Sequence, residues 1–147
     1  MKSRTFHTAS EEQTIALGEQ LARELPSKGV VLLIGNLGAG KTTLAKGIVK
    51  GLGAATPDDV SSPTFTLIHE YSPSVYHIDL YRLDTAEQVA TLGLNEIFDR
   101  RAVVLIEWGE RFPELMPEQR VEIRLHANGE NSREIELRST MELILPQ

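Results

Sequence analysis

At 147 residues, with 41% hydrophobic and 24% charged side chains, the chain makes one soluble globular domain with a sizeable core and no second one. It has no cysteine, which excludes disulfides and thiolate metal sites and fits the cytosol. A formal charge of −6 speaks against nucleic-acid binding over the whole surface and leaves only a local basic patch for it. The amino-terminal run Met1-Lys2-Ser3-Arg4-Thr5-Phe6 lacks a signal peptide's apolar stretch, and no segment reaches transmembrane length. A cytoplasmic protein with no membrane contact is expected.

Thr5–Thr8 reads as a short strand. Ser10-Glu11-Glu12-Gln13 has the form of a capping box, with Ser10 as the cap and Gln13 reaching back. Ile15, Gly18, Leu21, Ala22 and Leu25 continue it as one apolar helical stripe, which Pro26 ends. That helix is expected to cover a sheet and do nothing more. Val30-Val31-Leu32-Leu33-Ile34 is an unbroken apolar run, the mark of a buried parallel strand. The residues that follow, Gly35-Asn36-Leu37-Gly38-Ala39-Gly40-Lys41-Thr42-Thr43, fit G-x-x-x-x-G-K-[ST] without mismatch.

The context of that motif is complete on both sides. Leu44, Ala45, Ile48, Val49 and Leu52 recur at helical spacing after it, and Gly51 and Gly53 supply a stop. Residues 54–59 are linker-like. Ser62 is pushed toward extended backbone by Pro63, and Phe65–Tyr71 reads as a strand. Ser72-Pro73-Ser74 turns the chain into a second strand, Val75–Tyr81, so the pair is expected to form an antiparallel hairpin. Asp84-Thr85-Ala86-Glu87 reads as a capping box opening a short helix with Val89 and Leu92 inside, and Leu94, Ile97 and Phe98 suggest another turn after Gly93. Ala102–Ile106 is a second buried strand and ends at Glu107-Trp108-Gly109-Glu110. The tail then alternates: Val121, Ile123 and Leu125 face one way, as do Ile135 and Leu137, with a loop at Asn128–Ser132 between them. A closing antiparallel hairpin is expected.

The chemistry of the site starts from the loop. Glycines allow successive backbone N–H groups to turn inward around a phosphate where side chains would intrude. Lys41 brings a positive charge to the β- and γ-phosphates, Thr42 offers a hydroxyl to Mg²⁺, and the following helix points its positive end at the same anion. Lys41 is expected to face solvent, contributing charge and no core. An NTPase of this kind needs an acidic residue at the end of a buried strand, and Glu107 holds that position; a charge there is costly unless it meets a cation or water. Asp79 is the second candidate. By alternation His77, Asp79 and Tyr81 share one face of their strand and Tyr76, Ile78 and Leu80 the other, so the first face either looks into the site or carries ordinary surface pairs. Glu110 ranks below both carboxylates, and Trp108 read alone is a core residue.

Four segments together resemble the bacterial TsaE (YjeE) family of ATPases, over nearly the whole chain. They are the glycine-rich run 35–43, Ser62-Pro63-Thr64-Phe65, His77-Ile78-Asp79-Leu80-Tyr81-Arg82, and Glu107-Trp108-Gly109-Glu110. The resemblance implies a three-layer α/β fold of the phosphate-loop NTPase type, with a mostly parallel sheet, helices on both faces and antiparallel hairpin additions. It implies that residues 36–43 and Trp108 bind ATP, that Thr42, Asp79 and Glu107 gather around Mg²⁺, and that Lys41, Asp79, Glu107 and Thr64 serve catalysis. It further implies that Ser62–Phe65 acts as a switch that senses the γ-phosphate and contacts partners. In that family a slow ATPase works with the TsaD–TsaB complex to form threonylcarbamoyladenosine at position 37 of tRNAs reading codons that begin with A. The ATPase is not the transferase, meets tRNA only through the complex, and resets the complex between turnovers.

Three rivals are weighed. A small-molecule or nucleoside kinase uses the same loop, but Arg100 and Arg101 precede a buried strand and no lid insertion is evident. A guanine-specific switch lacks its Asn-Lys-x-Asp base-reading sequence here. A nucleotide-dependent assembly module would hydrolyse ATP only incidentally.

Overall fold

The computed structural model describes residues 2–56, 60 and 67–139. Its strands are β1 (Lys2–Thr8), β2 (Gly29–Ile34), β3 (Ile68–Ser72), β4 (Val75–Asp79), β5 (Val103–Glu107), β6 (Val121–Ala127) and β7 (Arg133–Ser139). They form one sheet in the order β1-β7-β6-β2-β5-β4-β3. β4, β5, β2 and β6 run parallel, and β3 and β7 pair antiparallel at either side of them, with β1 antiparallel to β7. Both expected hairpins form. The second one does more than close the fold, because β6 lies directly against β2.

Helices α1 (Glu11–Ala22) and α2 (Lys41–Gly51) cover one face, and α3 (Ala86–Ala90) and α4 (Leu94–Phe98) the other. The apolar run of β2 explains why two layers are needed. Val31 and Leu33 pack with Leu21, Leu44 and Ile48, whereas Val30 and Leu32 pack with Val89, Leu94 and Ile97. A strand buried on both sides reads as continuous hydrophobics, not as alternation. Among the described residues no helix is long and apolar enough to cross a membrane.

Local chemistry sets the element ends with small departures from the expected frames. Ser10 accepts from the Gln13 N–H, but the Gln13 amide reaches past it to the Ala9 N–H at 2.7 Å. The α3 box is shifted by one residue from Asp84/Glu87 to Thr85/Gln88. Gln88 Oε1 accepts from both the Asp84 and Thr85 N–H groups, and this frame turns Val89 inward and Glu87 outward. Gly53, at φ 72°, ends α2 as expected. Gly51, by contrast, is a helix contact and no stop: a Cβ there would lie 2.7 Å from the Ala22 Cβ. α1 and α2 cross so closely that a Cβ on Gly47 would fall 2.0 Å from the Ile15 carbonyl oxygen. The buried stripe of α1 is accordingly Thr14, Leu17, Gly18, Leu21 and Ala22, with Ile15 and Leu25 only half-buried.

Candidate functional site

Three adjacent strands end at one place. β2 leads into the glycine loop, while Asp79 and Glu107 are register partners at the ends of β4 and β5. Ligands of open α/β sheets bind at the carboxyl ends of such strands. Here a cleft of about 350 Å³ opens among Leu37, Gly38, Gly40, Lys41, Thr42, Thr43, Asp79, Tyr81, Glu107, Trp108 and Arg133. Asn36 and Ala39 of the same loop do not line it; Asn36 instead closes the turn by accepting from the Ala39 N–H.

The loop conformation depends on two glycines for different reasons. Gly40 caps α2 at φ 100°, a left-handed backbone that L side chains rarely adopt. Gly35 lies against β6, where a Cβ would stand 2.7 Å from the Leu125 carbonyl oxygen. Arg133, the first residue of β7, then locks the loop from outside. Its guanidinium donates to the carbonyls of Ala39 and Gly38 at 2.9 and 3.2 Å, and to those of Gly129, Glu130 and Ser132. A trans peptide points its N–H opposite its C=O, so the Ala39 carbonyl held by Arg133 directs the Gly40 N–H away from that guanidinium. Sequence reasoning missed Arg133, because only the fold brings the hairpin to the loop.

Lys41 is not solvent-facing as expected. It is 5% exposed, and its Nζ has no hydrogen-bond partner. The ammonium sits 3.6 Å from the centroid of the Trp108 ring, which in turn stacks on Tyr81 at 5.1 Å. Loss of water lowers the Lys41 pKa, and the carboxylates of Glu107, Glu110 and Asp79 only partly counter this. Trp108 is thus half core and half cleft wall, at φ 67°. Glu110 is half-buried, and desolvation raises its pKa against the pull of Lys41, Arg124 and Arg111.

Glu107 and Asp79 are both buried. The Thr42 hydroxyl donates to Glu107 Oε2 at 3.4 Å, and the Asp79 Oδ1 accepts from the Tyr81 N–H at 2.8 Å. His77 and Tyr81 are not surface pairs. β4 is covered on both faces and flanked by β5 and β3, so His77 is fully buried, and its Nε2 lies 2.6 Å from Glu107 Oε2. Tyr81 stands beyond the strand end. Among the described residues no group of three or more His, Cys, Asp or Glu side chains could hold a metal alone. A hydroxyl and two carboxylates next to a phosphate loop instead suit Mg²⁺, which binds few protein ligands and takes the rest from phosphates and water. Thr64, with the whole of Ser62–Phe65, lies outside the described residues.

The family model described as "Threonylcarbamoyl adenosine biosynthesis protein TsaE" matches residues 8–135. Two curated relatives bear the name tRNA threonylcarbamoyladenosine biosynthesis protein TsaE. The one from Bacillus subtilis is 39% identical over 92% of this chain and 85% of its own. The one from Nostoc is 42% identical over 88% and 82%. The crystal structure of YdiB from Bacillus subtilis superposes with a TM-score of 0.77 at 33% identity, covering 95% of this chain and 87% of the other.

Proposed function

The chain belongs to the TsaE family, and from that premise we propose that it binds ATP with Mg²⁺ and hydrolyses it slowly. This hydrolysis supports formation of threonylcarbamoyladenosine at position 37 of tRNAs reading codons that begin with A. The observation that carries the nucleotide reading is Lys41: a buried ammonium with no hydrogen-bond partner, at the foot of a glycine loop. Such a group costs free energy until an anion reaches it. The same cleft holds the Thr42 hydroxyl and the Asp79–Glu107 pair, which would hold the metal.

In this reading the loop N–H groups and the α2 N-terminus bind the phosphates, and Lys41 leaves the Trp108 face to meet them. Mg²⁺, when bound, neutralises charge on the phosphate oxygens during transfer. Thr42, Asp79 and Glu107 would hold that ion, and one of the carboxylates would orient the attacking water. Trp108 and Tyr81 wall the cleft and exclude water from it.

The transfer to tRNA belongs, in this proposal, to a TsaD–TsaB complex. The family's role in threonylcarbamoyladenosine biosynthesis supports a place in that pathway. Residues Ser62–Phe65, Thr64 among them, are the proposed contact. The test is ATP turnover measured alone, with TsaD–TsaB, and with TsaD–TsaB plus tRNA. Stimulation by the complex, and its loss in Thr64→Ala at retained ATP affinity, is the expected result. Turnover that instead depends on a small acceptor that becomes phosphorylated would establish the kinase reading. In the same assay Glu107→Ala and Asp79→Ala are expected to weaken Mg²⁺-dependent hydrolysis by more than tenfold while leaving ATP affinity in EDTA within about twofold. Equal losses in both conditions would remove the carboxylates from the metal site.

A further inference from the structure

The structure assigns His77 as a positioning residue that aims the Glu107 carboxylate at the metal side of the cleft. The inference rests on the Mg²⁺ reading above and goes beyond it, because it concerns a side chain that does not itself line the cleft. His77 is 0% exposed, and Glu107 is 3% exposed. Their contact, Nε2 to Oε2, is 2.6 Å. The parallel register of β4 and β5 sets Asp79 opposite Glu107 and His77 opposite Leu105. His77 therefore stands one pleat behind the carboxylate pair and meets Glu107 from the sheet side.

Two features argue against simple space-filling. A leucine would fill the same volume without burying polar atoms, whereas His77 Nδ1 is buried with no hydrogen-bond partner, a cost that pure packing does not repay. In addition, both side chains that meet Glu107, His77 and Thr42, do so at Oε2, so Oε1 takes no hydrogen bond from a described residue. One oxygen is held and the other is left for use. The 2.6 Å contact to His77 restrains the carboxylate from rotating out of the site. Partners of metal-binding carboxylates set affinity in this manner, and losing one costs about tenfold to a hundredfold.

The experiment measures affinity for a non-hydrolysable ATP analogue by calorimetry, in EDTA and in Mg²⁺, so that no turnover is involved. Wild type is expected to bind more tightly with Mg²⁺. His77→Asn, whose amide cannot reach Glu107, should lose about tenfold of that gain while its affinity in EDTA stays within about twofold. His77→Gln, which places a donor nitrogen near the Nε2 position, should recover most of it. In a Glu107→Gln background His77→Asn should change nothing further. An unchanged Mg²⁺ gain in His77→Asn, equal losses with and without Mg²⁺, or failure of His77→Gln to recover would overturn the assignment. A wild type with no Mg²⁺ gain would instead overturn the metal reading on which it rests. Where His77→Asn fails to fold, nitrogen NMR of the wild-type imidazole decides. The proton is expected on Nε2, hydrogen-bonded to Glu107 with and without Mg²⁺ and analogue, and a proton on Nδ1 alone refutes the assignment.

Discussion

Lys41→Met should make the nucleotide-free protein more stable and blind to ATP. Lys41 is 5% exposed, and its ammonium is buried with no hydrogen-bond partner. Leaving a buried polar group unpaired costs about 1–3 kcal/mol, and more when it is charged. The Trp108 ring 3.6 Å away returns about 2 kcal/mol at a desolvated site, and three carboxylates add some attraction. The lowered pKa shows that desolvation outweighs the pull of the carboxylates, and the Trp108 face offsets only part of what burying an unpaired charge costs. Methionine keeps the length and the apolar stem without the charge. A net gain of about 1 kcal/mol is expected, or a Tm higher by about 3 °C in a domain of this size. Because the folded pKa is below the ordinary 10.5, the wild type's deficit is full below the folded value and closes as pH rises through it toward 10.5. With ATP at a hundred times its Kd, wild type should gain about 2.7 kcal/mol, about 5–10 °C, and the variant nothing. Thermal unfolding with and without ATP reads both effects. A variant less stable than wild type without ATP, or shifted equally by ATP, would refute the reasoning.

Glu110→Gln should stabilise the protein at neutral pH and not in acid. Burial raises the Glu110 pKa above 4.5, so the folded state binds this proton more tightly and loses stability as pH rises from that value through the folded one; Tm scans at about pH 4 and pH 7 should show the variant's advantage only at the higher pH. Gly47→Ala should be severely destabilising although alanine is the better helix former by about 1 kcal/mol, because its Cβ would lie 2.0 Å from the Ile15 carbonyl. A loss of at least about 3 kcal/mol, about 6–12 °C in Tm, is expected, and an unchanged Tm would mean that α1 and α2 do not cross as described.

What the sequence disclosed and what it withheld divide along a physical line. Features set by a few consecutive residues were legible: the apolar runs of β2 and β5, the glycine loop, Gly53 and Gly93 at element ends, the alternating tail. Glu107 was legible too, because a charge ending a buried strand needs a reason. Features set by neighbours far along the chain were not. Alternation placed His77 and Asp79 on a shared face, but not which layer would cover that face. Only the fold, which sets β4 between β5 and β3 and packs a layer on each face, makes His77 fully buried. Lys41 was expected in solvent because lysine usually is, and its burial follows from Trp108, which reaches it across the sheet end. Arg133 carried no local signal at all. It reads as a polar residue of an edge hairpin until β6 is set against β2 and the guanidinium reaches the loop carbonyls.

These three residues have polar groups placed at the loop and its neighbours: Arg133 holds loop carbonyls and His77 holds Glu107, both from behind, whereas the Lys41 ammonium lies over the Trp108 ring and lines the cleft. Catalysis by electrostatics requires groups that need no reorganisation when charge develops, and such groups must be fixed from behind by partners that never touch the reactant. Partners of that kind come from whichever strands end nearby, so the chain supplies them at no fixed spacing. A loop motif can therefore announce a phosphate site from eight residues, while the side chains that stiffen it become visible only when β4, β5 and β7 are laid beside β2 and β6 in one sheet.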